Sequence, residues 1–528
     1  MACTVCSSIN HRLPILAWAA IVLPWLNPFA PGPTPSAAPL LFSWACVAIL
    51  FAVAALYRPI DQSVRLSGVV ASAWLTAAAL SCGIGLLQYF GQTQVLGQWG
   101  NHTGMGEAFG NLRQRNQFAT LTSIGLMALL WQVAQWRSSA PKGAAPLAPS
   151  AVRWSLWLAC ATLLALGNAA SGSRTGLLQW CLVAVLLLVW GKRMPRRALA
   201  MGLATVALYL LAIRALPWLL EAAKGFHASG LMGRLNEDVG CSSRRVLWAN
   251  VLHLVAQKPW LGWGWGELGY AHFITLYPAA RFCDILDNAH NLPLHLAVEL
   301  GVPFSLFVCA ALASLVWRAR PWREPKATRQ LAWGVLAVVA LHSLVEYPLW
   351  YGPFQMAAGL AVWLLWRTPL AHAGLTAEAS QHQEQSTFSY MALVFSGVCA
   401  IVLVAILGFA AWDYWRVSQL YVVPSDRAEA YREDTMVKVR GSVLFSHQVQ
   451  FAELTTATVV ADNAERLHAL ALGLLHFSPE PRVVEKLIES AVALRRDDEA
   501  LFYLQRYQAA FPQAHAAWAA ESASHKTP

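Results

Sequence analysis

The sequence predicts an all-α, polytopic integral membrane protein, and three observations support this. Of 528 residues, 57% are hydrophobic and 12% are charged, about half the charged share of a typical soluble domain. The mean hydropathy is +0.44, and 25 residues are tryptophan. The apolar residues also fall into runs of roughly 20, the length of a helix that crosses a bilayer. A soluble globule of this size needs far more polar surface.

About eleven runs are long enough to be transmembrane helices. They are residues 13–27, 38–57, 66–90, 116–136, 154–170, 175–191, 198–219, 291–317, 330–350, 353–366 and 390–412. The first run lacks a small-residue cleavage site and precedes a proline-rich stretch. We therefore interpret it as a retained helix and not as a removed signal peptide.

The basic residues predict the orientation, because short cytoplasmic loops carry an excess of Lys and Arg. Clusters follow every second run, near residues 58–65, 137–153, 192–197, 318–329 and 367. With the N-terminus inside, all of them are cytoplasmic, as is a polar linker at 371–389. We predict a bacterial inner-membrane protein with a transmembrane domain at 1–412. A loop at 220–290 and a domain at 413–528 then lie in the periplasm.

The C-terminal domain at 413–528 has a helical pattern. Its apolar residues recur at three-to-four spacing from Val483 to Leu494. The stretch from Ala491 to Trp518 predicts two antiparallel helices that break near Phe511 and resemble a tetratricopeptide hairpin.

The net charge of +10 does not indicate a nucleic-acid partner. The basic residues stand between apolar blocks and form no basic amphipathic face. They fit the orientation bias, contact with membrane lipids, and a site for an anionic, phosphorylated ligand.

Unusual polar residues gather at the predicted outer face. They include Arg113, Arg115, Gln117, Arg174, Arg244, Arg245, Trp263, Trp265, His290, Asn291, Glu346 and Tyr347. Charges near the membrane boundary are costly unless they are paired or used, so this convergence predicts a site.

Simpler interpretations exist for some members of this set. Arg113 and Arg115 fit side chains that snorkel to lipid headgroups. Trp263 and Trp265 fit either an interfacial aromatic belt or a platform that stacks on sugar rings. Arg174 stands among Gly and Ser, which let backbone N–H groups approach an anion that a guanidinium grips.

Together these residues predict a chemistry. Several arginines without an acidic cage suit a pyrophosphate held by side chains, with no metal ion and no cofactor. A histidine at the same level suits a general base acting on a hydroxyl group, because its pKa lies near operating pH.

At these residues the sequence resembles the O-antigen ligase and polymerase superfamily. His290 and Asn291, followed after nine residues by Gly301, match the ligase signature, although Phe304 replaces its final glycine. The Ser171–Gly176 segment, and Arg244 four residues before Trp248, are further superfamily patterns. Residues 110–119 and 342–350, with the C-terminal domain, look like the bacterial protein O-oligosaccharyltransferases that glycosylate pilins.

The resemblance implies a fold of the GT-C glycosyltransferase kind and roles for individual residues. His290 would be the essential histidine, and Arg174 and Arg244 would hold the diphosphate. Gln117 and Tyr347 would be further functional positions. Arg245 is a rival for Arg244, although the spacing to Trp248 favours Arg244.

We therefore predict transfer of a preassembled glycan from undecaprenyl diphosphate to a Ser or Thr hydroxyl of a periplasmic, pilin-like protein. A single displacement would invert the anomeric carbon. Three alternatives stay open: an O-antigen ligase that uses lipid A–core as acceptor, an O-antigen polymerase, and a non-enzymatic transporter of lipid-linked glycans.

Finally, Cys241 and Cys283 are predicted to form a disulfide. By the span count they are the two cysteines of the outer loop, and an oxidising periplasm permits the bond. The bridge would close a loop of about 43 residues, which the chain-entropy model values at about 4 kcal/mol.

Overall fold

The computed structural model describes residues 2–56, 62–136, 150–228, 230–235, 240–368 and 381–524. Within these ranges the chain forms helices and turns and no β-strand, which confirms the all-α prediction. The basic residues at 58–61 and 137–149 lie outside the described residues, as do residues 371–380 of the predicted linker. The remainder of that linker is helical: it forms the start of the long helix Gln381–Ser418.

The α-helices of the described part follow in this order. They are α1 (Ala2–Leu26), α2 (Ala37–Leu56), α3 (Gln62–Tyr89), α4 (Arg115–Gln135), α5 (Ser150–Ser171), α6 (Arg174–Trp190), α7 (Arg196–Lys224), α8 (Gly230–Leu235), α9 (Arg244–Gln257), α10 (Leu268–Ile274), α11 (Leu292–Leu300), α12 (Val302–Ala319), α13 (Ala327–Ser343), α14 (Gly352–Arg367), α15 (Gln381–Ser418), α16 (Thr435–Val439), α17 (Ser446–Thr456), α18 (Ala464–Phe477), α19 (Pro481–Ala493), α20 (Asp497–Ala510) and α21 (Pro512–Ser524).

Several helices have the length and composition of membrane spans. In the described part, seven segments qualify: Ala37–Leu56, Leu66–Tyr89, Arg115–Gln135, Ala151–Ser171, Arg196–Lys224, Val302–Arg323 and Met391–Tyr421. Arg12–Leu26 and Arg174–Trp190 are shorter apolar helices, and α13 and α14 cover the remaining predicted runs. The chain is a multi-pass membrane protein, and the count of eleven spans stays a prediction.

The chain folds as two compact units. The first contains Met1–Glu237, Val316–Ser343 and Pro348–Gly408, and the second contains Asp238–Leu315, Leu344–Tyr347 and Phe409–Pro528. Helices α9 and α10 of the predicted outer loop thus share a unit with the C-terminal helices, whereas α8 belongs to the first unit. The predicted domain boundary at residue 412 stays a prediction.

The first unit is built around α4, which is buried along almost its whole length. Helices α3, α5, α6, α7 and α13 pack against it. Small residues permit this approach: a Cβ atom at Gly125 would lie 2.4 Å from the Cβ of Ala78 on α3. Small residues at helix interfaces are the usual route to close packing in a membrane, where no hydrophobic force drives helices together.

The second unit has an apolar core formed by α10 and the C-terminal helices. Phe273 on α10 packs with buried residues of α17, α18, α19 and α20. On α19, the predicted periodic residues Val483, Val484, Leu487 and Ile488 are buried in this core. The chain breaks at Phe511, between α20 and α21, where the sequence predicts a break.

The structure differs from the sequence prediction at the eighth span. The sequence predicts one helix over 291–317, but the chain breaks at Gly301, which has φ +90°. A Cβ atom there would lie 2.1 Å from the Trp260 carbonyl oxygen. The Val302 N–H donates to the Pro259 carbonyl oxygen at 2.8 Å. The Pro259–Gly266 loop therefore crosses the chain at this glycine, and the span itself begins at Val302.

Candidate active site

His290 stands in a tight turn directly before α11. Its φ is +51°, a conformation uncommon for residues other than glycine. The Asn288 side-chain oxygen accepts the His290 N–H at 2.8 Å, and the Asn288 carbonyl oxygen lies 3.0 Å from Nδ1. Since a carbonyl oxygen only accepts, Nδ1 carries the proton of the neutral ring. The lone pair is therefore on Nε2.

Glu346 faces that lone pair. Its carboxylate is buried, with 4% of the side chain exposed, and Oε2 lies 3.5 Å from His290 Nε2. The other oxygen, Oε1, accepts a hydrogen bond from Nη2 of Arg244, the first residue of α9. A buried carboxylate needs such partners to stay ionised. Glu346 thus joins an imidazole and a guanidinium that are far apart in sequence.

Two further predicted residues complete this cluster. The edge of the Tyr347 ring meets the His290 ring, with centroids 4.8 Å apart and planes at 79°. Asn291 caps α11 by accepting the Leu294 N–H at 3.0 Å, and its amide donates to the Leu344 carbonyl oxygen at 2.8 Å. Asn291 therefore ties the 344–347 turn to the loop that carries His290.

The surroundings of His290 keep its ring neutral. Burial, and then the charge of Arg244, lower the pKa of His290 to about 4, while the Asn288 carbonyl and Asp287 oppose that shift. The imidazole is therefore unprotonated near neutral pH and able to accept a proton. A proton on Nε2 would face the Glu346 carboxylate, which stabilises an imidazolium.

A second pair of titratable residues supports the same helix. On α11, Nε2 of His295 lies 3.6 Å from the Glu299 carboxylate, and both side chains are buried. Glu299 also accepts the backbone N–H groups of Gly266 and Leu268. This carboxylate therefore fastens the loop before α10 to α11.

The two tryptophans of that loop have different environments. The Trp263 indole N–H donates to the Leu254 carbonyl oxygen at 3.0 Å, and the Lys258 ammonium lies 4.1 Å from its ring centroid. Trp265 is 65% exposed. Of the two predicted platform residues, Trp265 therefore presents the larger open surface.

Arg245 and the cysteines lie beside the start of α9. Arg245 is exposed, whereas its neighbour Arg244 contacts Glu346. Cys241 and Cys283 form a disulfide with Cα atoms 5.5 Å apart, within the range that a bridge requires. It holds the chain three residues before Arg244.

The other predicted site residues belong to the first unit. Arg113 has φ +59° and donates to the Pro28 carbonyl oxygen, and Arg115 pairs with Glu107 at 3.0 Å. Both guanidiniums therefore have protein partners. Arg174 is exposed at the first residue of α6, where the Ser173 hydroxyl caps the helix by accepting the Gly176 N–H at 2.9 Å.

Gln117 is buried in α4, and its side-chain nitrogen has no hydrogen-bond partner within the described residues. One turn further on, the Thr120 hydroxyl lies 2.9 Å from Nδ1 of His342 and accepts from the Gln179 amide at 2.7 Å. The first unit thus contains a buried polar network that the sequence analysis did not identify.

The side chains of the candidate site residues are better suited to bind an anionic group than a metal ion. Within the described ranges, no three His, Cys, Asp or Glu side chains are grouped as metal ligands. The available groups are guanidiniums, backbone N–H groups and a neutral imidazole. Metal independence stays a prediction.

Fold and site together define a class: a multi-pass membrane protein with a histidine–carboxylate–arginine cluster. Three family models match the chain. "O-Antigen ligase" matches residues 158–309, "Virulence factor membrane-bound polymerase, C-terminal" matches 330–525, and "Protein glycosylation ligase" matches 108–131.

Two curated relatives from Acinetobacter baylyi are similar to parts of the chain. A "ComP-specific O-oligosaccharyltransferase" is 29% identical over 118 residues, which is 22% of this chain and 21% of the relative. A "General O-oligosaccharyltransferase" is 28% identical over 124 residues, 23% of this chain and 21% of the relative. The matches thus span about a fifth of these relatives. Together with the family models, they show that the chain is similar to the O-antigen ligases and O-oligosaccharyltransferases, which confirms the predicted resemblance.

Proposed function

We propose that this protein transfers a preassembled glycan from undecaprenyl diphosphate to a hydroxyl group, on the periplasmic side of the inner membrane. The observation that carries the proposal is the contact of His290 Nε2 with the buried Glu346 carboxylate, which Arg244 holds. The similarity to the O-antigen ligase and protein glycosylation ligase models and to two O-oligosaccharyltransferases supports the same class of reaction.

In the proposed step, the acceptor oxygen attacks the anomeric carbon as the bond from that carbon to the phosphate oxygen breaks. The hydroxyl proton passes to Nε2 of His290. Burial keeps the ring neutral beforehand, and Glu346 stabilises the imidazolium that forms. A positioned base of this kind contributes roughly 10²–10⁴-fold. A single displacement inverts the anomeric carbon.

The leaving diphosphate needs positive charge. Arg244 uses one nitrogen for Glu346, and the planar guanidinium has further N–H donors for a phosphate oxygen. Arg174 stays a predicted diphosphate-binding residue because of the sequence resemblance. It is exposed at the start of α6, where the helix dipole favours anions. Stabilising charge that develops in the transition state is usually the largest catalytic contribution.

We propose a Ser or Thr of a periplasmic, pilin-like protein as acceptor, because both curated relatives are named as O-oligosaccharyltransferases. The second candidate is transfer to lipid A–core, which the match to the "O-Antigen ligase" model over 158–309 favours.

The test supplies the purified protein in lipid nanodiscs with a lipid-diphosphate glycan and, separately, with a pilin and with lipid A–core. Glycosylated pilin alone supports the protein acceptor. Product on lipid A–core alone contradicts it and supports the ligase. Loss of donor without either product contradicts both acceptors, and an intact donor contradicts the transferase itself.

A further inference from the structure

The end of α15 has an unusually open apolar surface. In the most apolar 18-residue stretch of the span Met391–Tyr421, only 6% of the residues are buried. Exposed side chains continue to its C-terminal end, including Ile401, Val404, Phe409, Trp412 and Trp415. Tryptophans at the end of a span are typical of the membrane–water interface. Trp412 and Trp415 therefore mark the level at which α15 leaves the hydrocarbon.

Two buried charges at this level bind a later segment of the chain. Asp413 accepts from Arg416 Nε at 2.7 Å and from the backbone N–H groups of Val443 and Leu444 at 3.2 and 2.9 Å. Arg416 donates to the Gly441 carbonyl oxygen at 2.8 Å. These bonds fasten residues 441–444 to the end of the span, beside its tryptophans.

The fastened segment exposes apolar side chains. We name residues 437–444 the juxtamembrane turn. Within it, Val437 is 66% exposed, Val443 is 69% exposed and Leu444 is 51% exposed. Exposed apolar residues that cluster, instead of being scattered singly, mark an interaction surface. This cluster stands next to the open surface of α15.

One cation of the turn fits a lipid surface as well. Arg440 keeps 62% of its side chain exposed while it pairs with Glu453 at 3.5 Å. The buried Arg416 guanidinium lies 4.4 Å from the ring centroid of the exposed Trp412 and belongs to the bonds that hold the turn. Interfacial segments combine apolar side chains that enter the acyl boundary with cations that meet lipid phosphates.

We propose that the juxtamembrane turn inserts Val437, Val443 and Leu444 into the headgroup–acyl boundary of the leaflet at the C-terminal end of α15. Its occupant is the lipid surface, because the turn continues the outward-facing surface of a span and is fixed at the level of that span's tryptophans. The inference concerns membrane contact and does not depend on the transferase reaction.

The experiment places an environment-sensitive fluorophore on single cysteines in the full chain, reconstituted in nanodiscs. Val443→Cys, Leu444→Cys and Val437→Cys are made in a background that keeps only the Cys241–Cys283 pair. The matched control is Val492→Cys, because Val492 is a comparably open apolar residue, 56% exposed, on α19. Each label is quenched by lipids with a nitroxide at the headgroup, by lipids with a nitroxide at the chain end, and by aqueous iodide.

We expect the labels in the turn to emit at shorter wavelength than the control, with headgroup-level nitroxides quenching them severalfold more than the label at 492. Iodide should quench the control severalfold more. Iodide quenching of the turn labels equal to the control would overturn the proposal, because the turn would then face water. Quenching by neither lipid nor iodide would also overturn it, since protein would be the occupant. The three positions are independent, so one that misfolds leaves two tests.

Discussion

His290 and His342 are both largely enclosed histidines beside a helix end, His290 just before α11 and His342 in the last turn of α13, yet their surroundings suit different tasks. His342 is 0% exposed at the last turn of α13, with Nδ1 on the Thr120 hydroxyl and its ring edge on Phe354. His290 has a strained backbone, 16% of its side chain open, and a carboxylate at Nε2. The Thr120 hydroxyl bonds one nitrogen of the His342 ring, and Nε2 has no partner within the described residues, whereas a carboxylate at Nε2 stabilises a protonated ring. Burial alone does not make a histidine a catalytic base.

The largest expected effect is that of His290→Ala. The protein should insert and accumulate normally, because the residue lies in a turn outside the packed helices. Transfer should fall by about 10²–10⁴-fold with the loss of the proton acceptor. The measurement is transfer from a lipid-diphosphate donor by purified protein. Near-wild-type transfer by the variant would remove His290 from the mechanism.

Arg174→Lys tests whether transfer requires a planar guanidinium at position 174, in the first unit. The charge is kept, but an ammonium cannot reproduce the two-pronged contact with phosphate. We expect a loss of about 10²-fold, as for the removal of one charge-stabilising donor. Arg193→Lys is the matched control, since Arg193 lies in a predicted cytoplasmic cluster. Equal rates for the two variants would show that charge alone suffices.

Arg244→Gln tests the electrostatics of His290 through pH. The guanidinium lowers the pKa of His290, which is about 4. Wild-type transfer should hold as pH falls from 8 and be lost near pH 4, when Nε2 becomes protonated. Without the positive charge the pKa of His290 rises, so the residual activity of the variant should be lost at a higher pH. An unchanged acid limb would mean that His290 protonation does not control the rate.

A smaller effect on transfer is expected from breaking the Cys241–Cys283 bridge, because the disulfide lies outside the cluster. Cys241→Ser should lower stability by up to about 4 kcal/mol, the chain-entropy value for a loop of this size. Thiol labelling of intact spheroplasts, with and without reductant, checks whether the disulfide exists and on which side of the membrane the two cysteines lie. Full labelling before reduction excludes the bridge. Labelling that requires the cytoplasmic side to be opened would contradict the orientation.

The weakest effect on the chemistry should follow from His342→Ala, which completes the comparison. Loss of the imidazole removes one hydrogen bond of the buried Thr120 hydroxyl, which keeps the Asn116 carbonyl and the Gln179 amide, at a cost of about 1 kcal/mol. The thermal transition of the purified protein should fall, while the specific activity of the folded fraction should change little. A loss as large as that of His290→Ala would assign the buried network a role in the reaction.

The sequence predicted the helices well because an apolar run of about 20 residues has few alternatives in a membrane. Local motifs also predicted His290, Arg244, Glu346 and Tyr347 as site residues; the structure brings them together, and their roles stay predictions. The sequence did not predict that Glu346 would join His290 to Arg244, because Arg244 and Glu346 are 102 residues apart. No periodicity encodes such a contact.

The break at Gly301 was missed for a related reason. Hydropathy does not change there, and the cause is the loop at Trp260, which crosses the chain at the glycine. The His295–Glu299 pair had a visible signal, because the two residues are four apart and share one face of α11. A search for such pairs on predicted helices would have found it.

The central claim is that His290 and Glu346 act as one proton-accepting unit. A double-mutant cycle in the transfer assay tests this most directly, with His290→Ala, Glu346→Gln and the double variant at one pH. Residues that act as a unit are strongly non-additive. We therefore predict that the double variant loses about as much activity as His290→Ala alone. If the activity loss of the double variant equals the product of the two single-variant losses, His290 and Glu346 act independently, and the account is contradicted.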